Sequence, residues 1–512
     1  MKTPTLNSKD RRQLDSLGIP LDSALQQLAQ LGKGQAWVPL DRPCTEGDGI
    51  VRIAPQRWEE LKNTFNEAVS RERISRFIPA SGAATRMFQP LTIARQQLGD
   101  SRIPWPEGEA GEPPAGLVRF LDQLHHFPFY DDLERTVAVD GSNLTELVAG
   151  RDVATLLRYL LDPCGLGYSQ QPKALLPFHR ETDGTRTAFV EHLAEAALLN
   201  GCRGEVRLHF TVSPEHLDLF RAQAAAWRKR LTETYCCQFI IGYSTQKSST
   251  DTLALDGAGD VLRNEDGCLL LRPGGHGALL DNLAELDGDI VVIRNIDNVV
   301  PDCRKQLNLD WSRRLAGLLL ELQQEQHALL RELNRHGDDP LLRDLALAFL
   351  YDQMQVEIPL DLNLAGLIDQ LDRPLRVCGM VENSGEPGGG PFWVRDGCGL
   401  KRRQIVEASQ IDMRDADQVQ ILAASTHFNP VDMVCALRDW RGRPYDLKRY
   451  IDPDAVIIAS KFQQEEEIRI LELPGLWNGG MAGWLTQFVE IPAAAFNPVK
   501  TLFDLLRPAH QP

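Results

Sequence analysis

The 512-residue chain reads as an α/β protein: a mixed sheet flanked by helices, with helical insertions and a strand-rich C-terminal part. Three observations predict this. Apolar runs of strand length alternate with segments of helical period. Residues 289–294, Asp-Ile-Val-Val-Ile-Arg, form a run apolar enough for a strand buried on both faces. Residues 74–80 read as a strand that passes directly into Ser81-Gly82-Ala83-Ala84 and then into a helical pattern over 85–98, a strand–loop–helix unit of the kind found at ligand-binding sheet ends.

The other elements follow in order. Leu14, Leu17, Leu21, Ala24, Leu25, Leu28 and Leu31 recur at helical spacing and predict one helix, stopped by Gly32 and Gly34. A second helix is expected over 55–71. Residues 100–115 are rich in Pro and Gly and read as a loop, with helices after it to about 161. A helix over 187–199 precedes a strand over 205–212. Ser213-Pro214-Glu215 is a helix start, with Ser as cap and Pro in the first turn. Cys236 and Cys237 read as strand residues, a strand follows over 239–243, and then a short helix over 279–286. The leucine-rich stretch 307–350 predicts a helical hairpin, inserted or appended. From Leu375 onward strands and turns dominate, with a glycine cluster at Gly385, Gly388, Gly389 and Gly390. The expected division is an N-terminal helical segment (1–72), a core (73–440) with helical insertions near 90–165 and 302–370, and a C-terminal extension (441–512).

Charge and composition narrow the function. A formal net charge of −16 argues against a duplex nucleic-acid binder, which needs a broad cationic surface. It leaves room for a small anion held by a few convergent Lys and Arg. The ten Cys show no zinc-ligand spacing and read as free thiols of a reducing, cytoplasmic compartment. The polar N-terminus is no signal peptide, and no apolar run is long enough to span a bilayer. His125-His126 and the acidic run Asp412, Asp415, Asp417 read as solvated surface.

The loop Ala80-Ser81-Gly82-Ala83-Ala84-Thr85-Arg86 carries the first functional signal. Small residues let the backbone approach a ligand, and the free N–H groups of such a turn face an anion. Arg86 adds a guanidinium suited to phosphate. The alternative is a tight connection of small residues with a solvated Arg. The loop is neither a Walker A motif nor a dinucleotide fingerprint. Asp297 follows the buried strand at its carboxyl end, where a hard oxygen ligand suits Mg²⁺. It could equally cap a turn before Val299-Val300-Pro301.

Seven short blocks, in order, resemble a known family. The loop resembles the Gly-Gly-x-Gly-Thr-Arg signature of sugar nucleotidyltransferases. Pro172-Lys173-Ala174-Leu175-Leu176-Pro177 is similar to their Pro-Lys-x-Leu-x-Pro run, and Glu191-His192 lies on the helix expected after it. Arg272-Pro273-Gly274-Gly275-His276-Gly277-Ala278 resembles the base-binding loop of UDP-sugar pyrophosphorylases. Arg294-Asn295-Ile296-Asp297-Asn298 resembles their metal site, and Gln404-Ile405-Val406-Glu407 and Thr426-His427-Phe428-Asn429 resemble two further blocks. Phe496-Asn497-Pro498-Val499-Lys500-Thr501, followed by Asp504-Leu505-Leu506, resembles their Pro-Val-Lys block. The blocks leave residues 1–70, 90–165 and 302–370 uncovered. As a whole the chain also resembles an uncharacterised bacterial family of similar length. It departs from the pattern at Ser81 and Ala84, which replace loop glycines, and at His276, which stands where Asn is usual.

The resemblance implies a nucleotide-diphospho-sugar transferase fold (GT-A/Rossmann-like) and a Mg²⁺-dependent reaction. An acceptor phosphate, as on a sugar 1-phosphate, attacks the α-phosphorus of a nucleoside triphosphate and expels pyrophosphate, most simply transferring UMP. The attacking group is already an anion, so catalysis rests on positioning and charge neutralisation. Arg86, Lys173 and Lys500 (returned to the site by the C-terminal extension) are the implied catalytic residues, and Asp297 the metal ligand. Ala80, Ser81, Gly82, Ala83, Thr85, Gln246, Gly275, His276 and Gly277 are the implied nucleotide contacts. Glu382, Asn383, Glu386, Glu407, His427 and Asn429 are candidates for the sugar side.

Two other readings compete. A glycosyltransferase could share the fold, but Asp287-Gly288-Asp289 precedes its strand, at the wrong end of the sheet. An inactive nucleotide sensor or scaffold is suggested by Ser81 and Ala84. The four charges Arg86, Lys173, Asp297 and Lys500 speak against it, since a non-catalytic protein has no chemical need of them.

Overall fold

A computed structural model describes residues 5–98, 115–182, 184–201, 204–359, 361–385, 388–397, 399–463 and 466–511. The chain forms two compact units. The first comprises Met1–Phe77, Ser244–Ile293 and Trp311–Ala493, and the second Ile78–Tyr243, Arg294–Asp310 and Ala494–Pro512. The architecture is mixed α/β, with sheets flanked by helices, as the alternation of strand and helix patterns predicts.

In the first unit a mixed sheet runs in the order Thr45–Glu46, Gly49–Val51, Leu485–Glu490, Leu375–Glu382, Asp432–Ala436, Ile290–Arg294 and Ile74–Pro79, the last two strands ending at the unit boundary. Ile290–Arg294 pairs parallel with Ile74–Pro79, with Ile293 opposite Phe77. Leu375–Glu382 pairs parallel with Leu485–Glu490 and antiparallel with Asp432–Ala436. All five residues of Ile290–Arg294 are buried, so the run shows no polar alternation. Phe77, Val291, Ile293, Met380, Met433 and Phe488 join the core here. An antiparallel sheet of Leu40–Pro43, Gly389–Arg395 and Lys401–Glu407 carries several candidate residues. A third sheet, Ile457–Gln463, Glu466–Glu472 and Ala254–Leu255, shares a core with Leu14, Leu28 and Leu31 of the N-terminal helices.

The second unit is mainly helical around the adjacent strands Glu205–Thr211 and Gln238–Ser244. Helices Gln89–Leu98, Ala115–Asp122, Tyr130–Val139 and Val153–Leu161 pack with Ala188–Leu199 and Leu217–Tyr235 into one core that includes Phe88, Phe120, Phe127, Phe189 and Phe210. Thr187 caps Ala188–Leu199 by accepting the Val190 N–H at 3.3 Å.

Several expectations are corrected. The predicted helix over 14–31 is two helices, Ser8–Ser16 and Leu21–Lys33. Gly18 adopts a left-handed φ of 72° and Pro20 is the cap of the second helix, so Gly-Ile-Pro breaks a continuous apolar pattern. Cys236 and Cys237 are not on a strand. Cys236 is the left-handed cap (φ 51°) of Leu217–Tyr235. The helix expected from Thr85 begins instead as a 3₁₀ turn, Ala84–Arg86, with α-helix from Gln89.

Candidate functional site

The second unit gathers the candidate phosphate residues. Ile74–Pro79 ends, and the Ala80 N–H donates to the Thr211 carbonyl at 2.8 Å. The loop then turns outward, with Ser81, Gly82, Ala83, Thr85 and Arg86 exposed and only Ala84 buried. Ala83 bridges to Pro172, and the Lys173 N–H donates to the Gly82 carbonyl at 3.1 Å. The N–H groups of Ser81, Gly82 and Ala83 donate to no acceptor among the described residues. Ala84 takes no left-handed conformation, so the alanine in place of glycine strains nothing.

Lys173, in the turn Lys173–Leu175, donates from Nζ to Asp297 Oδ2 at 2.6 Å, with side chains 13% and 20% exposed. The Pro-Val-Lys block lies beside Asp297. Asn298 bridges to Pro498, the Val499 N–H donates to the Asp297 carbonyl at 3.1 Å, and the Asn497 N–H donates to Asn298 Oδ1 at 2.9 Å. Asp504 Oδ2 accepts the Lys500 and Thr501 N–H groups at 2.9 and 2.7 Å, fixing the start of the last turn. Lys500 Nζ is 5.8 Å from the centre of the Phe496 ring. The loop, Lys173, Asp297 and the Lys500 segment are thus brought together. Arg86 is on the same loop but pairs with no acid among the described residues.

Beneath this cluster is a layer of buried charge that sequence reading did not assemble. Glu191, His192 and Glu195 are fully buried on an otherwise apolar helix. Glu191 Oε2 accepts from Lys305 Nζ at 2.5 Å, and Oε1 is 2.8 Å from His179 Nδ1. Lys305 also donates to Asp302 Oδ1 at 2.7 Å, Arg186 to the same oxygen at 2.9 Å, and His179 Nε2 is 2.9 Å from His510 Nδ1. Burial alone would raise the Glu191 carboxyl, but Lys305 and His179 hold it below its ordinary value. Burial likewise acts to lower Lys305, and Glu191 and Asp302 more than reverse it. Arg294 pairs with Glu195, and His192 Nε2 is 3.2 Å from the Ile296 carbonyl. The layer therefore holds both ends of the segment that presents Asp297. Its one visible signal was the pair of glutamates and the histidine in Ala188–Leu199, since charges on an apolar helix require buried partners.

In the first unit the glycine-rich loop packs against Leu473–Pro474. A Cβ on Gly277 would lie 2.3 Å from the Pro474 carbonyl oxygen, and Gly275 has a φ of 73°. The His276 ring stacks on Trp477 with centroids 4.4 Å apart, and its Nδ1 accepts the Leu476 N–H at 3.1 Å. Its Nε2 lies 3.7 Å from Glu407 Oε1, and this neighbour, ahead of the opposing effect of burial, holds the Glu407 carboxyl below its ordinary value. Asn478, fully buried, donates to Glu407 Oε1 at 3.1 Å, while its own Oδ1 has no hydrogen-bond partner among the described residues. His276 and Glu407 are therefore joined, and Trp477 and Asn478 complete the group. Gln246 follows Gln238–Ser244, is half-buried and shares no hydrogen bond with this group among the described residues.

The remaining candidates lie on neighbouring strands. Glu382 is paired with His427 across the sheet, and the Asn383 N–H donates to the Thr426 carbonyl at 3.0 Å. His427 is buried, which lowers its pKa, and its Nδ1 is 2.8 Å from Thr426 Oγ1. Asn429 is buried, and its Oδ1 accepts the Val431 N–H at 3.1 Å, so that side chain shapes a turn. Gly389 and Gly390 belong to a strand, and a Cβ on Gly388 would meet the Phe428 ring at 2.4 Å, so close packing accounts for these glycines. Glu386 lies outside the described residues.

Among the described residues no cluster of three or more His, Cys, Asp or Glu is arranged around a metal position. Asp297 offers a single carboxylate with Lys173 already on one oxygen. That set fits an ion that brings phosphate oxygens and waters as its other ligands, the usual habit of Mg²⁺. No helix among the described residues is long and apolar enough to cross a membrane.

A family model described as a domain of unknown function (DUF4301) matches residues 7–511, and the chain belongs to that family. No curated protein matches it. Solved structures similar to it include the UDP-glucose pyrophosphorylase of Leishmania major, at 13% identity over 98% of this chain and 79% of that one, with a TM-score of 0.45. Another is the uridine diphosphate N-acetylglucosamine pyrophosphorylase of Trypanosoma brucei, at 12% identity over 98% and 79%, with a TM-score of 0.46.

Proposed function

We propose that this member of the DUF4301 family is a nucleotidyltransferase that moves a nucleoside monophosphate, UMP in the simplest reading, from a triphosphate to a sugar 1-phosphate or similar phosphorylated metabolite. The observation that carries the reading is the convergence, in the second unit, of four sequence blocks on Asp297: the small-residue loop, Lys173, the Asp297 turn and the Pro498–Lys500 segment.

In this reading an acceptor phosphate oxygen forms a bond to the α-phosphorus while the bond to the bridging α–β oxygen breaks, and pyrophosphate leaves with the electron pair. The amides of Ser81, Gly82 and Ala83 receive phosphate oxygens, and Arg86 balances the charge of the leaving pyrophosphate. Lys173 and Lys500 neutralise the α-phosphate and the acceptor phosphate, with Asp297 fixing the Lys173 ammonium. Mg²⁺ brought by the triphosphate would be held by Asp297 and would screen phosphate charge. Within the first unit, Gly275, His276, Gly277 and Gln246 are proposed for the base, and Glu382, Asn383, Glu386, Glu407, His427 and Asn429 for hydroxyl groups. The structural roles already described for Asn429, the His276 ring and Glu407 make Glu382, exposed at the end of its strand, the stronger candidate for direct contact. The test is ³¹P NMR of the purified protein incubated with Mg²⁺, each of the four common NTPs and a panel of sugar 1-phosphates. A new diphosphate diester signal requiring both substrates supports the reading; its absence with every pair refutes it.

A further inference from the structure

The first unit contains a pocket of about 560 Å³, a volume typical of small-molecule sites, that includes none of the residues assigned above. Its position relative to Glu407 follows from strand geometry. Side chains alternate along Lys401–Glu407, so Arg402 and Gln404 share one face while Arg403, Ile405 and Glu407 share the other. The pocket is lined by Arg402 and Gln404. Arg403 instead points into the core, donating to the carbonyls of Gly49 at 3.0 Å and Met354 and Thr486 at 2.5 Å. Arg402 and Glu407 are also about 17 Å apart along the strand at ~3.4 Å per residue. The pocket therefore shares no lining residue with the His276–Glu407 group and lies on the other face of the strand, its Ala455 end meeting Gln410, which also accepts from Asn478.

The lining has the chemistry of sugar-phosphate recognition. Arg373 and Arg402 are only 13% and 17% exposed. Burial and then the nearby Arg402 lower the Arg373 pKa, the mark of two guanidiniums close together. Arg373 and Arg449 share one carboxylate, Asp369, at 3.5 and 3.8 Å, and that carboxylate is 61% exposed. This group of two guanidiniums and one carboxylate leaves cationic charge for an anion, while Arg402 is paired with Asp396 at 3.2 Å and Arg395 with Asp41. The pocket also holds four aspartates against its four arginines, which disfavours a polyanion such as a triphosphate and favours one phosphate accompanied by hydroxyl groups. Asp452 is fixed by accepting the N–H of Asp454 at 3.0 Å and so stands as a preset acceptor, while Asp396 accepts from the Leu400 N–H at 3.0 Å and from Arg402 Nε at 3.2 Å and so holds that guanidinium in place. Trp37, 38% exposed at the wall, offers a flat apolar face for a sugar ring.

We propose that this pocket binds a phosphorylated monosaccharide at a site distinct from the one assigned to nucleotidyl transfer. The test is isothermal titration of the full chain with glucose 6-phosphate, mannose 6-phosphate and ribose 5-phosphate, none of which carries the anomeric phosphate of the proposed acceptor. At least one is expected to bind one per chain, at least tenfold tighter than inorganic phosphate or glucose alone. Arg402→Gln should weaken it at least tenfold. Arg449→Gln, at a side chain 66% exposed and so outside the packed core, should weaken it severalfold at unchanged melting temperature. Lys173→Ala should leave it unaltered. No binding of any of the three, or binding lost in Lys173→Ala and kept in both arginine variants, overturns the proposal and leaves the transferase reading untouched.

Discussion

Lys305→Met probes the charge layer under Asp297. Lys305 is 1% exposed and its Nζ lies 2.5 Å from Glu191 Oε2 and 2.7 Å from Asp302 Oδ1. Methionine is close in volume, so little packing is lost and the change isolates the charge. Glu191 keeps His179 at 2.8 Å on Oε1, but the next donor to Oε2, Arg186, is 3.7 Å away, too far for a hydrogen bond. Breaking a buried pair from one side typically costs about 3–5 kcal/mol, and the surviving His179 contact places this variant near 3. That is a large share of the ~5–15 kcal/mol by which a typical domain is stable. Urea unfolding at pH 8, followed by circular dichroism, measures the loss. Glu191→Met added to Lys305→Met removes the stranded carboxylate and should recover at least half of it. The wild-type contribution of Glu191, whose folded pKa is depressed, is present above the ordinary carboxyl range and is lost as pH falls through the folded value. The deficit should therefore shrink toward acid pH. A loss below about 1 kcal/mol, or a double variant no more stable than Lys305→Met, refutes the account of this layer.

Other outcomes follow from the same structure. Burial lowers the His510 pKa to about 3, so its neutral form stabilises the fold fully above the unfolded value and less as pH falls. Between pH 6.5 and 5 this amounts to about 1.5 kcal/mol, a slope that His510→Gln should abolish in unfolding experiments across that range. Gly277→Ala drives a Cβ against the Pro474 backbone and should cost roughly 1–3 kcal/mol by denaturant titration. Gly82→Ala meets nothing within 4 Å and needs no left-handed φ; its melting temperature should match the wild type, and weakened triphosphate binding in that variant would mark the loop as a ligand contact. Asp297→Asn should fold normally and lower transfer about 10²–10³-fold, in the range seen for lost electrostatic stabilisation, as measured by initial rates.

Much of the fold was legible because local pattern and burial agree. Ile290–Arg294 is buried along its whole length, as its unbroken apolar run predicts, and Thr187 caps the helix expected to start there. The helix break at Gly18–Pro20 was hidden because leucines on both sides keep one apparent period across it. At the candidate site the blocks named Lys173 and Asp297, and the structure adds their 2.6 Å ion pair. His276 next to Glu407 was not predictable, since the two are joined only through a sheet and the Trp477–Asn478 turn. Of the charge layer only Glu191, His192 and Glu195 on an apolar helix were visible, and their partners were not: His179 and His510 meet across 331 residues, and no local period encodes such a pairing.

The most direct test of the central claim is pyrophosphate release with Mg²⁺, UTP and a panel of sugar 1-phosphates, run on the wild type, Lys173→Ala and Lys500→Ala. The account predicts release that requires both substrates in the wild type and falls at least 100-fold in each variant, in line with loss of an electrostatic contact to the reacting phosphates, at unchanged melting temperature. Release that persists in both variants, or none in the wild type with UTP or any other NTP, contradicts it.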